Sequence, residues 1–401
     1  MVQLRHMRKN LHDLTVASCD LLAFGEPTHQ EPAFGWVRNE LFVQLADRGF
    51  RSIALETDRV AALAVNDFVQ GGAGSLDTVM REGFSHGFGN QEPNRQLIAW
   101  MRTYNENRPP EERLSFHGFD TPTENHSAPS PRRYLEHTRD YLQLGVDLTD
   151  LLGDDEDWSR TEAVMDPAMS LGATAEAEQA RSIAEAMLTL LHAREPEPAA
   201  ADAHAEWFRA RTHLTAGLGL LRYHKQCAQS LEHAARISRL LATRDSLIAQ
   251  SLLDVRSAEA LRGPTLAFGH NLHFQRDPSS WCQADLDLNW HGAGTVLGPL
   301  MGERYGFVAG SLGRSEALGL LDPEPDTYEG LLQSSTTAWD LATDVTDAAA
   351  RTRTDIAPQQ GYRPLDRTIL EGADAVLHIS DGTAAAEQSQ NALLPVLAVS
   401  S

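Results

Sequence analysis

Short apolar runs alternate with amphipathic stretches near the start of the chain and again near its end, and a long tract of purely helical character separates the two regions. Residues 20–25 (DLLAFG) read as a buried strand. Phe34, Val37, Leu41 and Leu45 then recur at helical spacing and run out at Gly49, which suits the left-handed C′ position of a helix. A second apolar run, RSIALE at 51–56, completes a strand-helix-strand unit. A helical crossover of this kind returns the chain to the starting edge, so the two strands are expected to be parallel. IAWMRTYN (98–105) continues as helix and LSFHGFD (114–120) as a third strand, with the polar turn NRPPEE between them.

After Asp120 the pattern changes. TPTENHSAPSP (121–131) reads as a loop, and residues 132–260 carry no convincing strand signal. EAEQARSIAEAMLTLLHA (176–193) and SLEHAARISRLLATRDSLIAQSLLDV (230–255) are amphipathic helices, with REPEPAAADA marking a break between helices. Strand character returns at PTLAFGHNLHF (264–274), RYGFVAGS (304–311) and DAVLHIS (374–380), with the HNLH residues expected on a loop. Residues 330–372 are polar and receive no assignment. The predicted fold class is α/β, a mostly parallel central sheet flanked by helices with an inserted all-helical lobe. The core would comprise 1–125 and 261–401, and the lobe 126–260.

Composition narrows the functional classes. The 401 residues are 42% hydrophobic and 22% charged, as a packed globular protein requires. A net charge of -22 argues against a nucleic-acid partner, which needs a basic footprint. Ser18, Cys19 and Asp20 interrupt the N-terminal apolar stretch, and no segment has the apolar length of a membrane span, so no membrane partner is expected. Cys19, Cys227 and Cys282 are scattered and form no zinc or redox motif, which suits a reducing, cytoplasmic compartment. The oligomeric state is not legible.

Side chains just beyond the carboxyl ends of parallel strands line the ligand crevice of such sheets. Here the first strand runs into Glu26 and His29, the second into Glu56, the third into Asp120, and the fourth into His270 and His273. Imidazole beside carboxylate suits proton transfer near neutral pH. There is no G-x-S-x-G elbow and no suitably placed cysteine, so water activated by a histidine fits better than a covalent acyl-enzyme. The same residues include zinc-ligand types, but no H-E-x-x-H motif accompanies them, and no metal or cofactor is assigned. HGFGNQEP (86–93) is placed at the cleft mouth with His86 in reach of substrate, and His117 is expected to be a satisfied core histidine. Trp281 and Trp290 suit either core packing or an apolar substrate wall.

FGEPTHQ, GFRSIALETD, LIAWMRTYN with FHGFD, and AFGHNLHF with GPLMGERYGF occur in that order over roughly residues 20–122 and 240–312, and this arrangement resembles the erythromycin esterase-like family. The resemblance implies an α/β core, a helical lobe, a cleft between them, and metal-independent hydrolysis of a macrolide lactone ester. It puts the general base on His29, active-site carboxylates on Glu26 and Glu56, and a second imidazole pair on His270 and His273. It further implies that Arg38 faces the cleft and that Arg244 and Asp245 form a structural ion pair beside it. The family pattern has a further Glu four residues after the base, where this chain has Ala33; Glu31 is nearby but in a register that points it elsewhere.

The expected function is therefore hydrolysis of an ester or lactone in a bulky, natural-product-like small molecule. Glu26, Glu56, His29, His270 and His273 are taken as catalytic, and Arg38, Asp120 and His86 as substrate-binding. Ala33 motivates an alternative acid/base step without hydrolysis (elimination, cyclisation or group transfer), and a ligand-binding protein that has lost catalysis is the third reading.

Overall fold

A computed structural model describes residues 19–398 apart from 125, 197–200, 284–285, 334–336 and 344–348. The N-terminal segment, the centre of REPEPAAADA and parts of QADLDLN and of the unassigned region 330–372 thus lie outside the described residues.

The chain opens with β1 (Leu21–Glu26), α1 (Pro32–Ala46), β2 (Ser52–Asp58), α2 (Ala62–Val69), α3 (Leu76–Glu82), α4 (Glu92–Asn105) and β3 (Ser115–Asp120). Among the described residues every element of the following tract is helical. These are α5 (Arg132–Leu142), the short α6 (Thr149–Leu152), α7 (Asp155–Ser159) and α8 (Thr161–Met165), then α9 (Ala175–Ala193), α10 (Ala201–Cys227) and α11 (His233–Glu259). The sheet resumes with β4 (Thr265–His270), followed by the single turn α12 (Asn271–Phe274) and a hairpin of β5 (Ser279–Gln283) and β6 (Leu286–Trp290). Then come α13 (Ala293–Met301), β7 (Tyr305–Arg314), α14 (Tyr328–Leu332), β8 (Trp339–Ala342), α15 (Arg367–Gly372), β9 (Ala375–Asp381) and α16 (Gly382–Ala398).

Seven of the described strands form one sheet in the order β3-β2-β4-β1-β7-β9-β8, parallel except for β8 at one edge. Its central strands are largely apolar up to their carboxyl ends because both faces are covered, and all six residues of β1 are buried. One face packs Phe24, Val37, Phe42 and Phe268 beneath α1, α2 and α4. The other packs Ala23, Phe274, Leu297 and Phe307 against Ile248 and Leu252 of α11. The lobe has clusters of its own, around Trp158, Met187 and Leu214 and around Tyr134 and Leu220. No helix among the described residues is long and apolar enough to cross a membrane.

The expected strands and long helices are present. Gly49 ends α1 as expected, at φ +94, with Phe50 N–H bonded to Leu45 C=O and Gly49 N–H to Ala46 C=O, a Schellman ending. One expectation changes, and two features add to what was expected. β1 and β2 are parallel but not adjacent, because β4 inserts between them. The HNLH segment is no loop: His270 caps the turn α12. The unassigned region contains the end of α14, β8 and α15.

Insertion of β4 positions the chemistry. Its register sets Glu26 opposite His270, and β2 on its other side delivers Glu56 over Gly269, where a Cβ would stand 2.8 Å from the Glu56 carboxylate. Beyond Phe24 and Val308 the β1–β7 ladder stops, and the Asn271 side chain replaces it: Gly310 N–H donates to Asn271 Oδ1 (2.8 Å) while Asn271 Nδ2 donates to Gly310 C=O (2.9 Å). Gly25 makes room for this amide, since a Cβ there would lie 2.1 Å from Oδ1. Asn271→Ala leaves both Gly310 groups without this partner and is expected to cost about 1–3 kcal/mol. A urea midpoint indistinguishable from the parent protein's would refute the clamp.

Candidate active site

The corner after β1 carries the first pair. Glu26 ends the strand, Pro27 and Thr28 turn the chain, and His29 Nδ1 lies 2.7 Å from Glu26 Oε1. Glu31 caps α1, accepting from Ala33 N–H and from the Ser315 hydroxyl, and so points away from His29 as its register implied. The His29 side chain is 35% exposed, with Phe88 and His270 ring centroids 5.2 and 5.4 Å away.

Glu56 is the centre of the site. It is buried, and its Oε1 receives Arg244 Nη2 and His273 Nε2, both at 3.1 Å, while Oε2 receives His270 backbone N–H at 2.8 Å. His29 Nε2 faces the same Oε1 at 3.6 Å, too long for a hydrogen bond. Burial opposes the charge on Glu56, but His273, His29 and Arg244 outweigh it and hold this carboxyl well below its usual range. Asp120 is fully buried and takes a two-pronged contact from Arg244 (3.0 and 2.6 Å) and His86 Nε2 at 3.0 Å. Against burial, these cations bring its pKa down to about 2.

Three imidazoles in this space have three different environments. His273 is buried with Nδ1 2.6 Å from Asp245 Oδ1 and Nε2 on Glu56; burial opposes its charge, but Asp245 and Glu56 raise its pKa to about 10. It is an imidazolium at neutral pH. His270 Nδ1 accepts Leu272 N–H (3.2 Å), and burial, with the neighbouring His29 and His273 charges, pushes its pKa far down. It is neutral, with its proton on Nε2. His29 is partly desolvated, yet Glu56 and Glu26 raise its proton affinity above the ordinary value. Burial raises that of Glu26.

The site thus gathers Glu26, His29, Glu56, His270, His273, Asp120 and His86, but not in equal positions. His273 stands behind Glu56 with both ring nitrogens on carboxylates. His86, at φ +55, bridges Asp120 and Glu124 (3.0 and 2.8 Å) beside Phe88. Arg38 is buried close enough to Glu26 for their charges to interact. It is 2% exposed, bonded to Asn39 and to Asn94 (2.9 Å) and stacked on Phe268, because the N-terminus of α4 closes over this side of α1. Burial lowers its pKa to about 9.

Arg244 and Asp245 are not bonded to each other. Midway along α11, Arg244 reaches Glu56 and Asp120 while Asp245 reaches His273 and accepts the Trp290 indole N–H at 2.6 Å. Trp290 is therefore a buried support, whereas Trp281 is partly buried and lies under the Arg363 guanidinium. His117 is satisfied by Glu259 at 2.8 Å. Arg363 went unassigned from sequence, and Asp245 was placed beside the cleft without its contact to His273. The legible signal for Asp245 was the polar Arg244–Asp245 step interrupting an apolar helical stripe.

Because His273 binds its proton more tightly when folded, it stabilises the fold fully below its unfolded pKa of 6.5, and this contribution is lost as pH rises through about 10. Asp245→Asn should lower stability near neutral pH and flatten the decline above it. Urea unfolding across this window measures both slopes, and parallel curves would sink the assignment.

The family model described as "Erythromycin esterase" matches residues 45–387. Three solved structures share the fold. A Bacillus cereus protein has TM-score 0.64 at 15% identity, covering 94% of each chain. A succinoglycan biosynthesis protein has TM-score 0.62 at 16% identity, covering 93% of this chain and 92% of its own. A mutant of the erythromycin esterase EreC in its open conformation has TM-score 0.62 at 18% identity, covering 94% of this chain and 96% of its own. No curated protein matches the chain. The family match spans most of the sequence: the chain belongs to the erythromycin esterase family, a membership that points to ester hydrolysis.

Proposed function

We propose that this protein hydrolyses an ester or lactone bond of a bulky, natural-product-like molecule by direct attack of water activated at His29. The observation that carries this proposal is the pairing of two unlike imidazoles. His29 is partly exposed, with Glu26 on Nδ1 and raised proton affinity, and it faces His270, which is held neutral with Nε2–H available.

Glu26 accepts the Nδ1 proton and leaves the Nε2 lone pair as the base. As water adds to the carbonyl carbon, its proton passes to His29 Nε2 and the carbonyl oxygen becomes an oxyanion. His270 Nε2–H donates to that oxygen, a neutral donor that is never lost to ionisation near working pH. Glu56, kept ionised by His273 and Arg244, stabilises the His29 imidazolium from 3.6 Å. When the intermediate collapses, the C–O bond to the alcohol breaks and the imidazolium returns its proton to the leaving alkoxide. His273 holds Glu56 in place and touches no reacting atom.

His29→Ala should reduce turnover of a macrolide lactone or a p-nitrophenyl ester roughly 10²- to 10⁴-fold, with unchanged circular dichroism. Undiminished turnover would falsify the mechanism. Product mass tests the reaction class: hydrolysis adds the mass of water, whereas a product lighter by water would assign the elimination that Ala33 motivates.

The base must be neutral, so kcat/KM should rise with pH through a His29 pKa above 6.5. Glu26→Gln removes one of the charges that raise it and should move this limb to lower pH. A limb that stays in place in the variant excludes His29 as the titrating group.

A further inference from the structure

The loop that follows the unassigned region of the sequence forms one side of the His29 corner. Arg363 N–H donates to Pro27 C=O at 2.9 Å, and a Cβ on Gly361 would lie 2.7 Å from Gln30 Nε2. The Arg363 side chain is half-buried, with its guanidinium carbon 4.0 Å from the centroid of the Trp281 ring. Trp281 belongs to the β5–β6 hairpin and rests on the apolar cluster of Leu272, Leu288 and Trp290. Hairpin and loop thereby fix the guanidinium beside β4's end, close enough for its charge to help keep His270 unprotonated.

No carboxylate, hydroxyl or carbonyl among the described residues bonds this guanidinium, and burial alone lowers its pKa, to about 10. Stacking on Trp281 covers one face of the plane, and the N–H donors on its edge have no hydrogen-bond partner among the described residues. An arginine edge of this kind takes a carboxylate or phosphate in a two-pronged contact. The rest of the site is unfriendly to anions. Arg244, His273 and His86 are already engaged by Glu56, Asp120, Asp245 and Glu124, and the chain as a whole carries -22.

We propose that Arg363, held on Trp281, forms an anion-binding subsite of the cleft, and that the preferred substrates are esters whose acyl or alcohol part carries a carboxylate or another small anionic group. The proposal deepens the ester-hydrolase reading and rests on it for the word substrate, but the binding site can be tested without turnover. Arg363 is a specificity residue here: it holds the remote anion and takes no proton in the reaction.

Two matched probe pairs separate the possibilities. The first pair is mono-p-nitrophenyl succinate and neutral p-nitrophenyl butyrate, compared as kcat/KM. In Arg363→Gln the anionic-to-neutral ratio should fall roughly tenfold, the order expected for loss of a charge-assisted contact. The loss should sit mainly in KM, and Arg363→Lys should recover part of it. A merely structural arginine would depress both esters equally and leave the ratio unmoved, which overturns the proposal. The second pair has no ester: N-phenylsuccinamate and its uncharged methylamide, titrated by calorimetry into the full-length protein. The succinamate should bind more tightly, and Arg363→Gln should erase that difference. Equal affinity of the two amides for the parent protein overturns the subsite even if esters are cleaved. Carboxylate-dependent binding without cleavage of either ester keeps the subsite and removes the hydrolase reading.

Discussion

A buried carboxylate is costly to ionise unless cations and hydrogen bonds meet it, and Glu56 is where this structure satisfies that condition. Its partners come from three places: Arg244 from the lobe side, His273 from the turn after β4, and His270 N–H from β4's end. The lobe tract and the sheet are therefore joined through charge as well as through the apolar contacts of α11. Removing a partner would leave the others facing an uncompensated charge, so the group acts as a unit. It also sets the local field, in which Glu56, Asp120 and Asp245 alternate with the cations Arg244 and His273 and with His86. His29 sits at the edge of that field, and its raised proton affinity follows.

The same field explains how one residue type takes three roles. His273 lies between two carboxylates and is fixed as a cation. His270 lies one turn earlier, spends Nδ1 on a backbone N–H, and is fixed neutral. His29, partly exposed and with a single short carboxylate contact, is the one of the three that the proposed mechanism uses as its base. Titratable groups pushed apart by their surroundings are a signature of acid/base sites, and here the separation is produced by neighbours named in the sequence.

Much of this was legible beforehand because buried parallel strands announce themselves. Each is a short apolar run, and an ionisable residue at its end has to lie at the sheet's carboxyl edge, which is how Glu26, Glu56, Asp120 and His270 were found. Pairing partners were not legible. Insertion of β4 between β1 and β2 depends on contacts hundreds of residues apart, and it alone puts Glu26 beside His270. β8 and the β5–β6 hairpin are short and only partly buried, so their patterns are weak. Arg38, Arg244 and Arg363 show the limit most clearly. Nothing in the sequence beside them separates their destinations, yet one lies beneath α4, one ties the charge centre together, and one rests on Trp281.

Ala33, where the family pattern has a further Glu, can be weighed by the same electrostatics. Its methyl is fully buried in the apolar cluster with Phe34 and Val37, in the first turn of α1. A carboxylate there would need a partner of its own, because Glu31 already occupies Ala33 N–H and Ser315. With alanine, Glu26 and Glu56 are the carboxylates that set the basicity of His29, and both remain in contact range. On the proposed mechanism, alanine at this position still leaves His29 with both of its carboxylate neighbours, so the substitution does not by itself argue against hydrolysis.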